Sequence, residues 1–207
     1  MYESAGSSAP SQRDASPSPL PAGPVLAGVD GAPGPVLAGV LAGVDVDALQ
    51  GDALAAVIAG CERLMSWAHA RQFAAITVLW SRMEALVEEL PEGPGFAVDA
   101  GALTVAEVAV ALTVSESSAG NRVALAGRLE GLPQTAAALG DGVIDIGRAR
   151  AITEATAVLS QDAARAVEAR VLVRAPGQTA AQLRRSLGRA VYAVDPGAAE
   201  KAARRGR

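Results

Sequence analysis

DALAAVIAGCERLMSWAHARQFAAITVLWSRMEALVEEL, residues 52–90, decides the fold. Along it Leu54, Val57, Cys61, Leu64, Ala68, Gln72, Ala75, Leu79, Met83, Leu86 and Leu90 recur at three- and four-residue steps, and only Gln72 interrupts the apolar stripe. That spacing predicts one long amphipathic helix ending before Pro91. At about 1.5 Å per residue such a helix reaches roughly 58 Å, too long for one small globule to cover throughout. Part of the stripe is therefore expected to pack on a second chain, giving a homo-oligomer through the long helix. His69 adjoins the stripe and reads as a packing or boundary residue.

Composition extends the helical reading to the whole chain. At 207 residues there is room for one ordinary domain, or one domain with a tail. Half the residues are apolar but only 3% are aromatic, and the excess is alanine, valine and leucine, which favours slender, closely approaching helices. An all-α fold is expected. Cys61 is the only cysteine, which excludes an intramolecular disulfide and a cysteine-based zinc site and fits a reducing compartment. It is expected as a small buried hydrophobe. Met1 to Leu20 lacks the basic start and continuous apolar core of a secretory signal. The most apolar stretch, Ala53 to Trp80, is interrupted by Glu62, Arg63, His69 and Arg71, so no run approaches the roughly 18 uncharged residues of a membrane span. A cytoplasmic location without membrane partners is expected.

Residues 1–44 read as a disordered low-complexity tail and residues 45–207 as the helical domain. The tail holds most of the prolines and a short echo, Pro24-Val-Leu-Ala-Gly-Val-Asp then Pro35-Val-Leu-Ala-Gly-Val, too rich in Gly and Pro to bury a core by itself. After a Pro/Gly loop at 91–101, a bundle of shorter helices is expected at about 104–112, 116–130, 134–140, 146–158, 161–175, 180–194 and 197–207. Pro133, Gly140, Ser160, Pro176, Thr179 and Pro196 mark the breaks.

Charge divides the chain. Residues 1–120 hold 4 Arg and 14 Asp/Glu, a net of −10, whereas residues 121–207 hold 14 Arg/Lys and 8 Asp/Glu, a net of +6. A basic half in an acidic protein suggests a local anionic ligand, nucleic acid being the commonest; neutralisation between the halves is the alternative. Within this frame, Val108-Ala-Val-Ala-Leu-Thr-Val-Ser115 followed by Glu-Ser-Ser-Ala-Gly-Asn-Arg-Val123 resembles a helix-turn-helix. Thr113 and Val114 make the turn, Ser115 caps the second helix, and Ala109, Val114, Ala119 and Val123 supply small contacts for a steep crossing. Ser117, Asn121 and Arg128 then share the opposite face. Ser117 and Asn121 could read base edges, and Arg122 and Arg128 could reach phosphates or a guanine. Thr113 stands where glycine is usual and should resist a positive φ. A plain helical hairpin with a solvated face is the competing reading.

A second stretch, Gly142-Val-Ile-Asp-Ile-Gly-Arg-Ala-Arg150, places Arg148 and Arg150 in the first turns of a helix capped by Asp145. Arginine gains nothing from the dipole there, which makes both candidate ligand contacts, with salt bridges to Asp145 or Glu154 as the alternative. The candidate DNA contacts are thus Ser115, Ser117, Asn121, Arg122, Arg128, Arg148 and Arg150. Neither P-loop, Gly-x-Gly-x-x-Gly, Gly-x-Ser-x-Gly nor paired His or Cys occurs, so no enzyme, metal or cofactor is expected.

Glu107-Val-Ala-Val-Ala-Leu-Thr-Val-Ser, Leu132-Pro-Gln-Thr-Ala-Ala-Ala-Leu, Asp145-Ile-Gly-Arg-Ala-Arg-Ala-Ile, Ala169-Arg-Val-Leu, Gly177-Gln-Thr-Ala-Ala-Gln-Leu-Arg-Arg and Val194-Asp-Pro-Gly-Ala-Ala-Glu-Lys together resemble domain of unknown function 222, the thirteen-E-twelve repeat family of actinobacteria. The resemblance covers about residues 45–207. A ratio of 17 Arg to 1 Lys fits a GC-rich genome of that kind. It implies a helical region that accompanies a C-terminal HNH endonuclease domain and helps it engage DNA. An HNH site needs at least two histidines and His69 is alone here, so the nuclease activity does not carry over. The chain is expected to be a truncated or stand-alone helical part. Two functional readings stay open: a non-catalytic module associated with duplex DNA, and a protein-interaction or oligomerisation module built on the long helix.

Overall fold

The computed structural model describes residues 28–90 and 99–197. These form α1 (Pro35–Ala42), α2 (Gly51–Glu88), α3 (Ala100–Leu112), α4 (Glu116–Glu130), α5 (Pro133–Gly140), α6 (Ile146–Thr156), α7 (Gln161–Leu172) and α8 (Ala180–Val194), with short 3₁₀ turns at Val46–Ala48 and Ala175–Gly177. The fold is all-α, with no strand among the described residues. No single described helix is long and apolar enough to cross a membrane.

The long helix exists as expected, one residue earlier at its start and two shorter at its end. Its buried face is not the expected stripe. Gly60, Ser66, Phe73 and Ile76 are buried, and Ala70, Leu79 and Trp80 pack against the core, whereas Cys61, Ala68, Ala75 and Leu86 are exposed. Cys61 is thus a surface residue. The cause is that α2 is apolar on more than one side, so periodicity alone does not choose the inner face. The aromatic bulk of Phe73 and Trp80 chooses it, because filling the centre of a bundle of small-residue helices needs large side chains. His69 is half-buried and stacks on Phe73 with ring centroids 6.3 Å apart.

The expected disorder of 1–44 is corrected over 28–44. The second copy of the proline echo forms α1, with Pro35 in its first turn, and Leu37 is fully buried. The segment does not build a core of its own; it borrows one from α2. A Cβ at Gly60 would meet Leu41 and Val29 side chains at 3.3 Å, so the missing side chain is the seat into which the segment docks. Arg63 of α2 donates to the Val29 carbonyl and lies 4.0 Å from Asp30. Residues 1–27, and all but the first residue of the expected helix at 197–207, lie outside the described residues.

Behind α2 the helices α3–α8 close around Leu125, Leu129, Leu139, Ile144, Ile152, Val167, Leu183 and Leu187, all buried. α4 and α8 have the expected bounds, while α6 and α7 stop two and three residues early, at Thr156 and Leu172. α7 gives way to the tighter turn that carries Pro176. One buried carboxylate belongs to this core. Glu168 of α7 accepts a hydrogen bond at 2.6 Å from the Thr135 amide, satisfying the free amino end of α5.

Candidate nucleic-acid interface

α3 and α4 are joined by three residues, Thr113 to Ser115, and their axes bend by 115°. The turn forms in spite of the missing glycine. Thr113 adopts φ 52°, ψ 48°, the left-handed conformation it was expected to resist, and lets the Val114 amide donate back to the Ala109 carbonyl at 3.0 Å. Burial of Ala119 and Val123 against α3 offsets the strain. Ser115 caps α4, its hydroxyl accepting from the Ser118 amide. The pair is helix-turn-helix-like in connection and angle.

Ser117, Asn121 and Arg128 all lie exposed on α4, with Ala124 between them. Steps of 100° keep the four within about 60° of one another, on a strip about 16 Å long. Arg122 is turned away from it: its guanidinium is half-buried and donates to the Ser118 hydroxyl at 2.8 Å. The strip has acidic neighbours. Along one flank, a cleft of about 480 Å³ is lined by Trp80, Asp99, Val105, Glu116, Gly120 and Ala124. One of about 380 Å³, farther along the same flank, is lined by Thr77, Trp80, Glu84, Val123, Gly127 and Glu130. Two carboxylates in each cleft oppose the approach of phosphate.

Arg148 is committed to the fold. It donates from Nε to the Ala175 carbonyl at 3.1 Å and from one Nη to the Gln178 carbonyl at 2.7 Å, and it pairs with Asp145, so it ties the start of α6 to the turn before α8. The salt bridge held as the alternative is the one present. Arg150 is exposed on α6.

The basic surface that reading along the sequence missed lies on α7 and α8. α8 buries Leu183, Leu187, Ala190 and Val191. Steps of 100° put Arg185 and Tyr192 opposite Leu183, with Arg184 and Arg189 on either flank. All three arginines are exposed and Tyr192 is 60% exposed. No Asp or Glu occurs from Thr179 to Val194. Arg165, Arg170 and Arg174 are exposed on α7 and just beyond its end. Apart from Asp195, no described carboxylate lies within 4.0 Å of any of these six arginines. The signal was present in Leu183-Arg-Arg-Ser-Leu-Gly-Arg189, where apolar residues at i and i+4 force the arginines outward.

No group of three or more His, Cys, Asp or Glu side chains among the described residues could hold a metal ion. No curated protein and no solved structure matches the chain. Residues 65–207 match the model of a family described as domain of unknown function (DUF222), and since that is more than half of its length the chain belongs to this family.

Proposed function

We propose that the chain is a non-catalytic helical module that associates with nucleic acid, duplex DNA foremost, through the outer face of α8. The carrying observation is the cluster of Arg184, Arg185 and Arg189 around exposed Tyr192, on a helix with no carboxylate. Arginines held on one face of a helix that itself carries no carboxylate suit phosphate contact, and a tyrosine among them offers a hydroxyl to the backbone or a ring to an exposed base. Net charge of −4 over the chain keeps the affinity modest and strongly dependent on salt. The α3–α4 pair is a second surface for the same ligand: its angle and exposed strip favour it, its carboxylate rim does not. An accessory role beside an HNH nuclease fits the family resemblance, with the chemistry supplied from outside these residues, whose only histidine is His69.

The test is binding to a short duplex measured across salt concentrations. Three engaged arginines give a log–log slope of about −3, and replacing Arg184, Arg185 and Arg189 by alanine should remove two to three units of it. Arg128→Ala should change it by less than one. A loss confined to Asn121→Ala and Arg128→Ala would move the contact to α4, and no binding at low salt would end the nucleic-acid reading.

A further inference from the structure

The face of α2 left bare by the bundle is apolar and reads nearly the same in both directions. Ile58 is 70% exposed, Met65 50%, Leu86 48% and Leu90 45%, and Cys61, Ala68 and Ala75 are exposed among them. Leu54, Gln72, Leu79 and Met83, half-buried, complete the strip, and Leu79 also reaches the edge of the core. Gln72 is its centre. Seven residues out stand Met65 and Leu79, eleven out Cys61 and Met83, fourteen out Ile58 and Leu86, eighteen out Leu54 and Leu90. At 100° per residue every one of these falls within about 40° of the direction of Gln72. Ten residues out stand Glu62 and Arg82, about 80° to either side of that direction and so on opposite flanks of the strip.

We infer that the bare face of α2 is the contact between two copies of this chain, which pack antiparallel about a two-fold axis at Gln72. A two-fold interface must be self-complementary, each residue meeting the image of another. In this arrangement Met65 meets the partner's Leu79, Ile58 meets the partner's Leu86, and Leu54 meets the partner's Leu90. The antiparallel choice rests on the pattern itself, which steps outward from Gln72 through apolar residues at the same intervals in both directions. The two Gln72 carboxamides meet at the axis and can pair with each other, so a polar residue in the apolar seam fixes the register. Contact along about 55 Å of helix, some 10–12 Å wide, covers roughly 600 Å² per copy, or about 1,200 Å² in total, at the lower bound of stable specific interfaces. The contact is independent of nucleic acid.

The experiment uses the full chain. Light scattering over a concentration series should give a dimer of twice 20.8 kDa, and Ile58→Glu with Leu86→Glu should leave a monomer of unchanged helical content. Each substitution acts twice in a symmetric pair, so the dissociation constant should rise at least about a hundredfold. Spin labels on Cys61, the only cysteine, report the orientation. Twenty-two residues of helix separate 61 from the image position 83, which sets the two labelled backbones about 33 Å apart in the antiparallel dimer and under about 15 Å in a parallel one. A monomer at every concentration overturns the inference, as does a dimer insensitive to both glutamates or a short label distance. A monomer that dimerises only when residues 1–27 are removed also overturns it, by showing that the chain's own leading segment covers the face.

Discussion

α4 and α8 are both fifteen-residue helices with a hydroxyl N-cap, yet they occupy opposite kinds of place. α4 begins after a left-handed threonine, touches α2, α3, α5 and α6, and ends beside carboxylates. α8 begins with a relaxed capping box in which Thr179 and Gln182 exchange hydrogen bonds, touches α6 and α7, and turns three arginines outward. A motif that looks like a recognition helix is thus the central beam of the bundle, and the peripheral helix has the surface an anionic ligand needs. Connection and angle identify a structural motif; the field around it decides what the motif can meet.

The largest expected difference between the two is in stability. Leu129→Ala, in the buried part of α4, should cost about 2–5 kcal/mol, read from the urea midpoint, whereas Tyr192→Ala on the outer face of α8 should cost under about 0.5 kcal/mol. Equal losses would mean that α8 is as deeply embedded as α4. A smaller effect separates the turns that lead into these helices. Thr113→Gly should raise stability by about 1 kcal/mol, because a β-branched residue is relieved of the left-handed conformation and glycine returns part of that gain as unfolded-chain entropy. Destabilisation would show that the threonine side chain holds the turn. The smallest effect concerns charge. Neutralising Glu116 and Glu130 together, as Gln, should raise low-salt affinity for duplex DNA a few-fold, with the gain fading near 0.15 M salt. An unchanged affinity would show that DNA never nears α4.

Much of this was legible in the residues. Helix periodicity with Ser115, Thr179, Pro133 and Pro176 as punctuation located the bundle to within a few residues, because caps and breakers act locally. Two things were not. The inner face of α2 depends on which apolar side meets the rest of the bundle, and periodicity alone does not distinguish Leu64 and Ala68 from Phe73 and Ile76; only the demand of the assembled bundle for bulk does. The order in α1 depends on Gly60, whose role as a seat exists only once Val29 and Leu41 have arrived. The candidate contacts divided for the same reason. Ser117, Asn121 and Arg128 share a face because a helix fixes their angles, but Arg148 found its partners in Ala175 and Gln178, nearly thirty residues on.

Gly142 gives the fold an order in time. It sits at φ +67°, and a Cβ there would stand 2.8 Å from the Arg63 Cβ and 3.0 Å from its Cα, so the turn between α5 and α6 rests directly on the backbone of α2. Seventy-nine residues of chain close between the two positions. Local pairs such as α3 with α4 and α7 with α8 cost far less chain entropy to bring together, so they form while this long loop is still open. The seat at Arg63 is then filled late, after the folding barrier. Gly142→Ala should therefore speed unfolding severalfold while leaving the refolding rate nearly unchanged, a signature that stopped-flow kinetics across urea concentrations would resolve. Slowed refolding would place the closure inside the nucleus, and α2 would be the template on which the remaining helices assemble.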